Sequence, residues 1–376
     1  MTEQLIVLPT GWLVPGRAVE DAAIDAQTDA EAAAVWLQAK GGRSANTFDA
    51  YRREALRLLL WLGEQRLSLA ELKVEHAHRY YAHLANPPKH WLRPRKPKLD
   101  EILLPTQVLA GALSNPSIDY TRTVLSQLCA YLQDAGYLQR NVFRLSVKPP
   151  VVIETVPTRL LDLASWHWLW NWILALPQDE AVAAAQAARS RWLFALLYHT
   201  GLRREEAAHG RMGDFVRKER AWSLRVLGKG NKEKFVTVNS ALLRELIHYR
   251  QTLGLEDYPV PGEPVPLVAS VNAARRSKPL TPRAIGLLVQ TVGAKAAADC
   301  EDAHIRAQLD RMTTHWLRHT NATHRLLAGA SLETTQDELG HADPKTTRIY
   351  AKATDQRRQE DAEKLAQLAQ GGPADT

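Results

Sequence analysis

Five clusters in the second half of the chain carry side chains suited to phosphate chemistry. Thr200-Gly-Leu-Arg203-Arg-Glu-Glu206 lies where a turn enters a predicted helix. A guanidinium there shares its anion with the free amides and dipole of a helix N-terminus. Lys229 sits at the tip of a predicted hairpin between Gly228 and Gly230, and glycine lets another backbone come close. His315 and Arg318 are three residues apart, so a helix puts them on one face. Gly340-His341 follows, and Tyr350 comes nine residues after His341. Taken singly, each has a plainer reading. Arg203 could pair with Glu205 or Glu206 at the surface, Lys229 could simply be solvated, and Tyr350 could be a half-buried packing residue.

Taken in order, Thr-Gly-Leu-Arg-x-x-Glu, Gly-Lys-Gly-Asn-Lys, His-x-Leu-Arg-His-Thr, Leu-Gly-His and Thr-x-x-Tyr resemble the motifs of the tyrosine recombinases and phage-type integrases. Ser44-x-Asn-Thr-x-x-x-Tyr51-Arg resembles the opening of that family's core-binding domain, so the resemblance runs from about residue 27 to about 360. It implies that Tyr350 is a nucleophile that forms a 3′-phosphotyrosine and frees a 5′-hydroxyl. Such a covalent link conserves the cut bond without ATP. Arg203 and Arg318 would grip the non-bridging oxygens with their planar forks. Lys229 would protonate the leaving oxygen. His315 would assist proton transfer, His341 would hydrogen-bond the phosphate, and Glu206 would orient the site. No cofactor or metal is called for, because the cations take the role a Mg²⁺ ion has in other nucleases. The implied partners are double-stranded DNA sites and a homotetramer assembled on them. The implied task is integration, excision or resolution of DNA elements.

The elements that must position these groups are read from periodicity. Helices are predicted over 29–40, from Ser44-Ala-Asn-Thr47 with Asn46 or Thr47 as cap, over 69–84 behind Ser68, and over 117–136. The proline-rich basic stretch Pro87–Lys98 is expected to be an extended loop. In the second half, tryptophans at 166, 168, 170 and 172 have strand-like spacing, but their flanks favour a capped helix. Val182–Tyr198 reads as helix, and 222–238 as a hairpin around Gly-Lys-Gly-Asn. Gly210-Arg-Met-Gly-Asp214 is a poor start for the strand the family places there. A charged helix is expected from Asp355.

The expected fold is therefore mainly α with a small antiparallel β-sheet: a helical core-binding domain plus a mixed α+β catalytic domain. The expected boundaries are an irregular arm at 1–26, the core-binding domain at 27–147, a linker at 148–157 and the catalytic domain with its tail helix at 158–376. Thr47, Arg52, Arg93, Arg95, Lys232 and Lys234 are candidates for DNA contact, the two last lysines alternatively meeting only water.

The bulk properties agree with an anionic partner. The 376 residues carry 48 Lys and Arg against 41 acids, a formal charge of +7. Two cysteines, Cys129 and Cys300, are too few for a disulfide framework or a four-ligand zinc site. No apolar run approaches the ~20 residues that span a bilayer, and no secretion signal is read at the N-terminus, so a cytoplasmic location is expected.

Overall fold

The computed structural model divides into two compact units, Met1–Glu154 and Thr155–Thr376, and each has its own hydrophobic core. The structure describes residues 22–41, 45–94, 106–147, 159–219, 221–228, 233–272, 274 and 277–340. Most of the arm, all of the expected linker, the hairpin tip and the tail helix expected from Asp355 lie outside these residues, as do Arg95, Lys229, Lys232, His341 and Tyr350.

The first unit is helical: α1 (Asp29–Gly41), α2 (Ala45–Gln65), α3 (Val74–Ala85), α4 (Asn115–Asp134) and the short α5 (Val142–Leu145). The apolar stripe of α2 buries Leu58, Leu59 and Leu62, and Tyr51 stacks on Trp36 of α1 at 5.2 Å. Helix α2 begins at Ala45, so Asn46 and Thr47 occupy its first turn rather than its cap. The helix expected over 69–84 is split. Glu71 accepts hydrogen bonds from the Ser68 amide and hydroxyl, both at 2.8 Å, which closes a single 3₁₀ turn. Leu72 then takes extended backbone and the helix restarts at Val74. The basic loop also contains a 3₁₀ turn, Lys89–Trp91. Trp91 is fully buried there and its Nε1 donates to Glu64 Oε1 at 2.9 Å, so this ring serves the first core.

The second unit opens with α6 (Leu163–Leu174). The Asp162 carboxylate accepts from the Ser165 amide at 2.8 Å, a helix N-cap that overrides the strand-like tryptophan spacing. Trp166 is buried and the next three tryptophans pack against the same core from partly exposed positions. Helices α7 (Ala181–Thr200) and α8 (Arg204–His209) lead to an antiparallel sheet ordered β1-β2-β3: β1 (Phe215–Lys218), β2 (Ala221–Leu227) and β3 (Glu233–Val238). Leu224 pairs with Val236 and Trp222 with Val238, so the buried faces of β2 and β3 coincide. Within the awkward Gly210–Asp214 stretch, Met212–Asp214 form a 3₁₀ turn that delivers β1. Gly213 fits it because a Cβ there would lie 2.3 Å from the Glu263 amide nitrogen. Helices α9 (Ser240–Thr252), α10 (Pro282–Ala298), α11 (Ala303–Asp310), α12 (Thr314–Leu327) and α13 (Leu332–Leu339) follow among the described residues. The architecture is mainly α with a small antiparallel sheet.

Both cysteines are buried free thiols, and burial pushes the Cys129 pKa up to about 12. Among the described residues, no helix is long and apolar enough to cross a membrane, and no group of three or more His, Cys, Asp or Glu could hold a metal ion.

Candidate active site

Helix α7 is capped by Gly201, whose φ of 62° is left-handed and suits glycine. A Cβ at this position would lie 2.5 Å from Leu339 Cδ2 and 2.8 Å from Asn321 Oδ1, so the turn and the end of α13 pack without room for a side chain. The end of a helix leaves carbonyls without intrahelical donors. Helix α12 supplies them. Asn321 Nδ2 donates to Tyr198 O at 2.6 Å, Arg325 to His199 O at 3.0 Å, and Arg318 Nη1 to Gly201 O at 2.6 Å. These three side chains recur at steps of three and four residues and so share one helix face.

The turn that follows places Arg203 at the N-cap of α8. Its backbone amide donates to Glu206 Oε2 and its guanidinium to Glu206 Oε1, both at 2.8 Å. A second guanidinium nitrogen lies 3.5 Å from Gly340 O. Arg318 is buried, and its Nη2 donates to Leu339 O at 2.7 Å. The two arginines therefore meet at the C-terminal end of α13, one exposed and one buried.

Glu206 lies beneath them, with its side chain only 4% exposed. Burial alone would raise its pKa, but Lys234 and Arg203 outweigh burial and hold the carboxyl below its ordinary value. It remains an anion that orients the cations around it.

One turn before Arg318, His315 opens to solvent, with its ring 4.1 Å from that of His319. Desolvation, then the charges of Arg318, Arg159 and Arg203, lower its pKa below 6.5. The neutral imidazole can accept a proton near pH 7. Together the cluster offers two planar cations for an anion's oxygens, a fixed carboxylate behind them and a base at the edge.

Comparison with known proteins bears on the same part of the chain. Residues 173–357 match the phage integrase family. Tyrosine recombinase XerA of Pyrococcus horikoshii is 30% identical over 193 residues, half of this chain and 60% of that protein. Tyrosine recombinase XerD of Staphylococcus aureus is 33% identical over 184 residues, 47% of this chain and 55% of that protein. That half of the chain belongs to the phage integrase family, the tyrosine recombinases. The fold agrees over a longer stretch. The XerH recombinase in its post-cleavage complex on a palindromic difH substrate is 19% identical with a TM-score of 0.60, covering 90% of this chain and 84% of that one. The Tn1549 transposon integrase bound to transposon right-end DNA is 18% identical with a TM-score of 0.59, covering 89% and 98%.

Of the recombinase-type residues read from sequence, the structure brings Arg203, Arg318 and Glu206 together and sets His315 beside them. Lys229, His341 and Tyr350 lie outside the described residues. Among the candidates for DNA contact, Arg52 and Arg93 are exposed and Thr47 is half-buried. Arg93 Nε donates to Gln107 O at 2.9 Å. Lys234 turns inward, with its side chain 15% exposed. Asn321, Arg325 and Glu338 were not singled out from sequence. For Asn321 and Arg325 the signal was helical phase, since they continue the face that begins at His315 and Arg318.

Proposed function

We propose that the protein is a site-specific DNA recombinase that cuts and rejoins DNA strands through a 3′-phosphotyrosine at Tyr350. The observation that carries the reading is the convergence of Arg203 and Arg318 at one helix end, over the buried carboxylate of Glu206. An attacked phosphodiester gathers negative charge on its equatorial oxygens, and fixed guanidiniums stabilise that charge. The Tyr350 oxygen bonds to phosphorus, the bond from phosphorus to the 5′-oxygen breaks, and Lys229 gives that oxygen a proton. His315, neutral near pH 7, takes up the tyrosine proton, and His341 supports a phosphate oxygen. The reverse attack by a 5′-hydroxyl restores a continuous strand.

The same reading assigns double-stranded recombination sites as substrate and a homotetramer on two sites as the working assembly, located in the cytoplasm and serving integration, excision or resolution of DNA elements. The XerH and Tn1549 integrase structures are complexes of such proteins with DNA.

The test is covalent capture on a nicked duplex carrying the protein's own site, located by footprinting the DNA around its gene. Wild type is expected to form an adduct that resists denaturation. Tyr350→Phe is expected to bind equally and form none. A wild type that forms no adduct on its mapped site would falsify the assignment. Exchange of strands between two sites is also expected; relaxation of supercoils without exchange would mark the protein as a topoisomerase.

A further inference from the structure

Lys234 stands out of phase with ordinary strand patterning. It shares the inward face of β3 with Val236 and Val238, while Glu233, Phe235 and Thr237 point outward. Its Nζ lies 3.1 Å from Leu339 O, 3.3 Å from Glu338 O and 3.8 Å from Glu206 Oε2. Its stem passes so close to Gly340 that a Cβ there would be 3.0 Å from Lys234 Cδ. Thr237, from the opposite face, grips the Glu338 carboxylate with both its amide and its hydroxyl. Strand β3 is therefore fastened twice to the last turn of α13.

We propose that Lys234 is a positioning residue for strand cleavage, clamping the strand that follows Lys229 to the helix end that runs into His341, with Arg318 on the same Leu339 carbonyl and Arg203 beside the next one, that of Gly340. The proposal rests on the recombinase reading above. Lys234 lies five residues after Lys229, and Gly340 directly precedes His341. One ammonium thus links the chain segments that bring the proton donor and a phosphate ligand. The last carbonyls of α13 carry the negative end of its dipole, which suits a cation.

Among the described residues, the charged groups facing the ammonium are Glu206 of α8, Arg203 at the α8 N-cap, Arg318 of α12 and Glu338 of α13. Desolvation is the largest influence, and Arg318 and Arg203 add to it against Glu206, bringing the pKa down from 10.5 to about 8. The charge is present at neutral pH and is lost as pH rises through about 8. Because the folded pKa is depressed, the fold gains stability over the range where the charge is lost. The clamp therefore predicts that cleavage falls above pH 8 while stability rises, and the profile is read on a 5′-sulfur duplex, where loss of the Lys229 proton cannot cause the decline.

The experiment measures single-turnover cleavage by the full chain on the nicked duplex described above. A second version carries sulfur in place of the 5′-bridging oxygen at the scissile phosphate. A thiolate leaves without needing a proton, so sulfur rescues loss of a proton donor and does not rescue loss of positioning. Lys234→Met is expected to cleave about 100-fold more slowly, the scale of a small misplacement of reacting groups, with DNA affinity and melting temperature close to wild type. Sulfur is expected to restore Lys229→Met and leave Lys234→Met slow. Lys234→Arg, a cation that does not titrate in this range, is expected to recover most of the rate and to flatten the decline above pH 8.

Wild-type cleavage by Lys234→Met overturns the proposal. So does rescue of that variant by sulfur, which would make Lys234 the proton donor. If Lys234→Met melts early, the arginine profile decides, and a profile parallel to wild type overturns the clamp. Failure of wild type to form an adduct with either duplex counts against the recombinase reading itself.

Discussion

In the first unit, the buried carboxylate of Glu54 accepts from Arg57 at 2.9 Å and from Thr121 at 3.0 Å, and Asp29 accepts from the Leu69 amide at 2.7 Å and the Tyr137 hydroxyl at 2.9 Å. In the second unit, Arg203 and Lys234 share Glu206, while Arg318, Arg203 and Lys234 reach toward the carbonyls that end α7 and α13. Carbonyls offer only partial charges, so the second arrangement retains a positive potential that an anion can answer. In the first arrangement Arg57 answers Glu54 and neutral donors answer Asp29, so both carboxylates are engaged by groups within the core. The contrast separates charge answered within the fold from charge that, on the proposed function, is left to hold a substrate.

The comparison breaks most readily at Glu54. Glu54→Ala strands Arg57 in the first core, and removing one partner of a buried pair costs about 3–5 kcal/mol. The first unit's urea transition is expected to shift by that amount. Cleavage per folded molecule is expected to stay near wild type, and a rate loss exceeding the loss of folded protein would refute the division of labour.

Arg318→Ala should show the converse. Losing one fixed donor to a transition-state anion slows reactions about 10²–10³-fold. It also leaves Gly201 O and Leu339 O without this donor, for about 1–3 kcal/mol of stability. Quench-flow measurement of adduct formation beside a thermal melt should find the rate effect to be the larger. Equal effects would mean that Arg318 is chiefly a structural residue.

Asp29 sharpens the comparison through pH. Burial raises its pKa from 3.8 to about 6, against the hydrogen bonds from Leu69 and Tyr137. The folded state then holds this proton more tightly than the unfolded chain. The resulting stability is full below the unfolded pKa and is lost as pH rises through about 6, a swing of about 3 kcal/mol. Urea titrations of wild type and Asp29→Asn between about pH 4 and 7 should diverge by that swing, and parallel curves would count against it.

The smallest effect is expected at Gly201→Ala. The left-handed φ of 62° and the approach of Leu339 and Asn321 predict a loss of about 1–3 kcal/mol. A melting temperature unchanged from wild type would show that neither the left-handed φ nor the end of α13 resists the added methyl.

Much of this was legible in the residue order. Helix α2 follows its apolar stripe, and the hairpin follows its two β-prone runs around a glycine turn. The run over 69–84 was less legible, because the Ser68–Glu71 bonds that divide it satisfy the same local pattern as a continuing helix. The tryptophan run needed its cap: side-chain spacing suggested a strand, and the Asp162–Ser165 bond decided for helix. Strand β1 was obscured because its preceding turn depends on Gly213 lying against residues 262 and 263, a contact between distant segments.

For the site, the sequence by itself determined which side chains are available and their order: Arg203, Glu206, His315 and Arg318, with Lys229, His341 and Tyr350 beside them in the motifs. Side-chain chemistry is a property of the residue and travels with the letter. Tertiary structure alone decided that Lys234 faces inward, that Asn321, Arg325 and Arg318 close the end of α7, and that the two arginines meet at the end of α13. Those facts depend on which helix end lies against which strand. Local pattern cannot express that choice, because the carbonyls that receive the cations belong to the backbone and look alike at every position in the sequence.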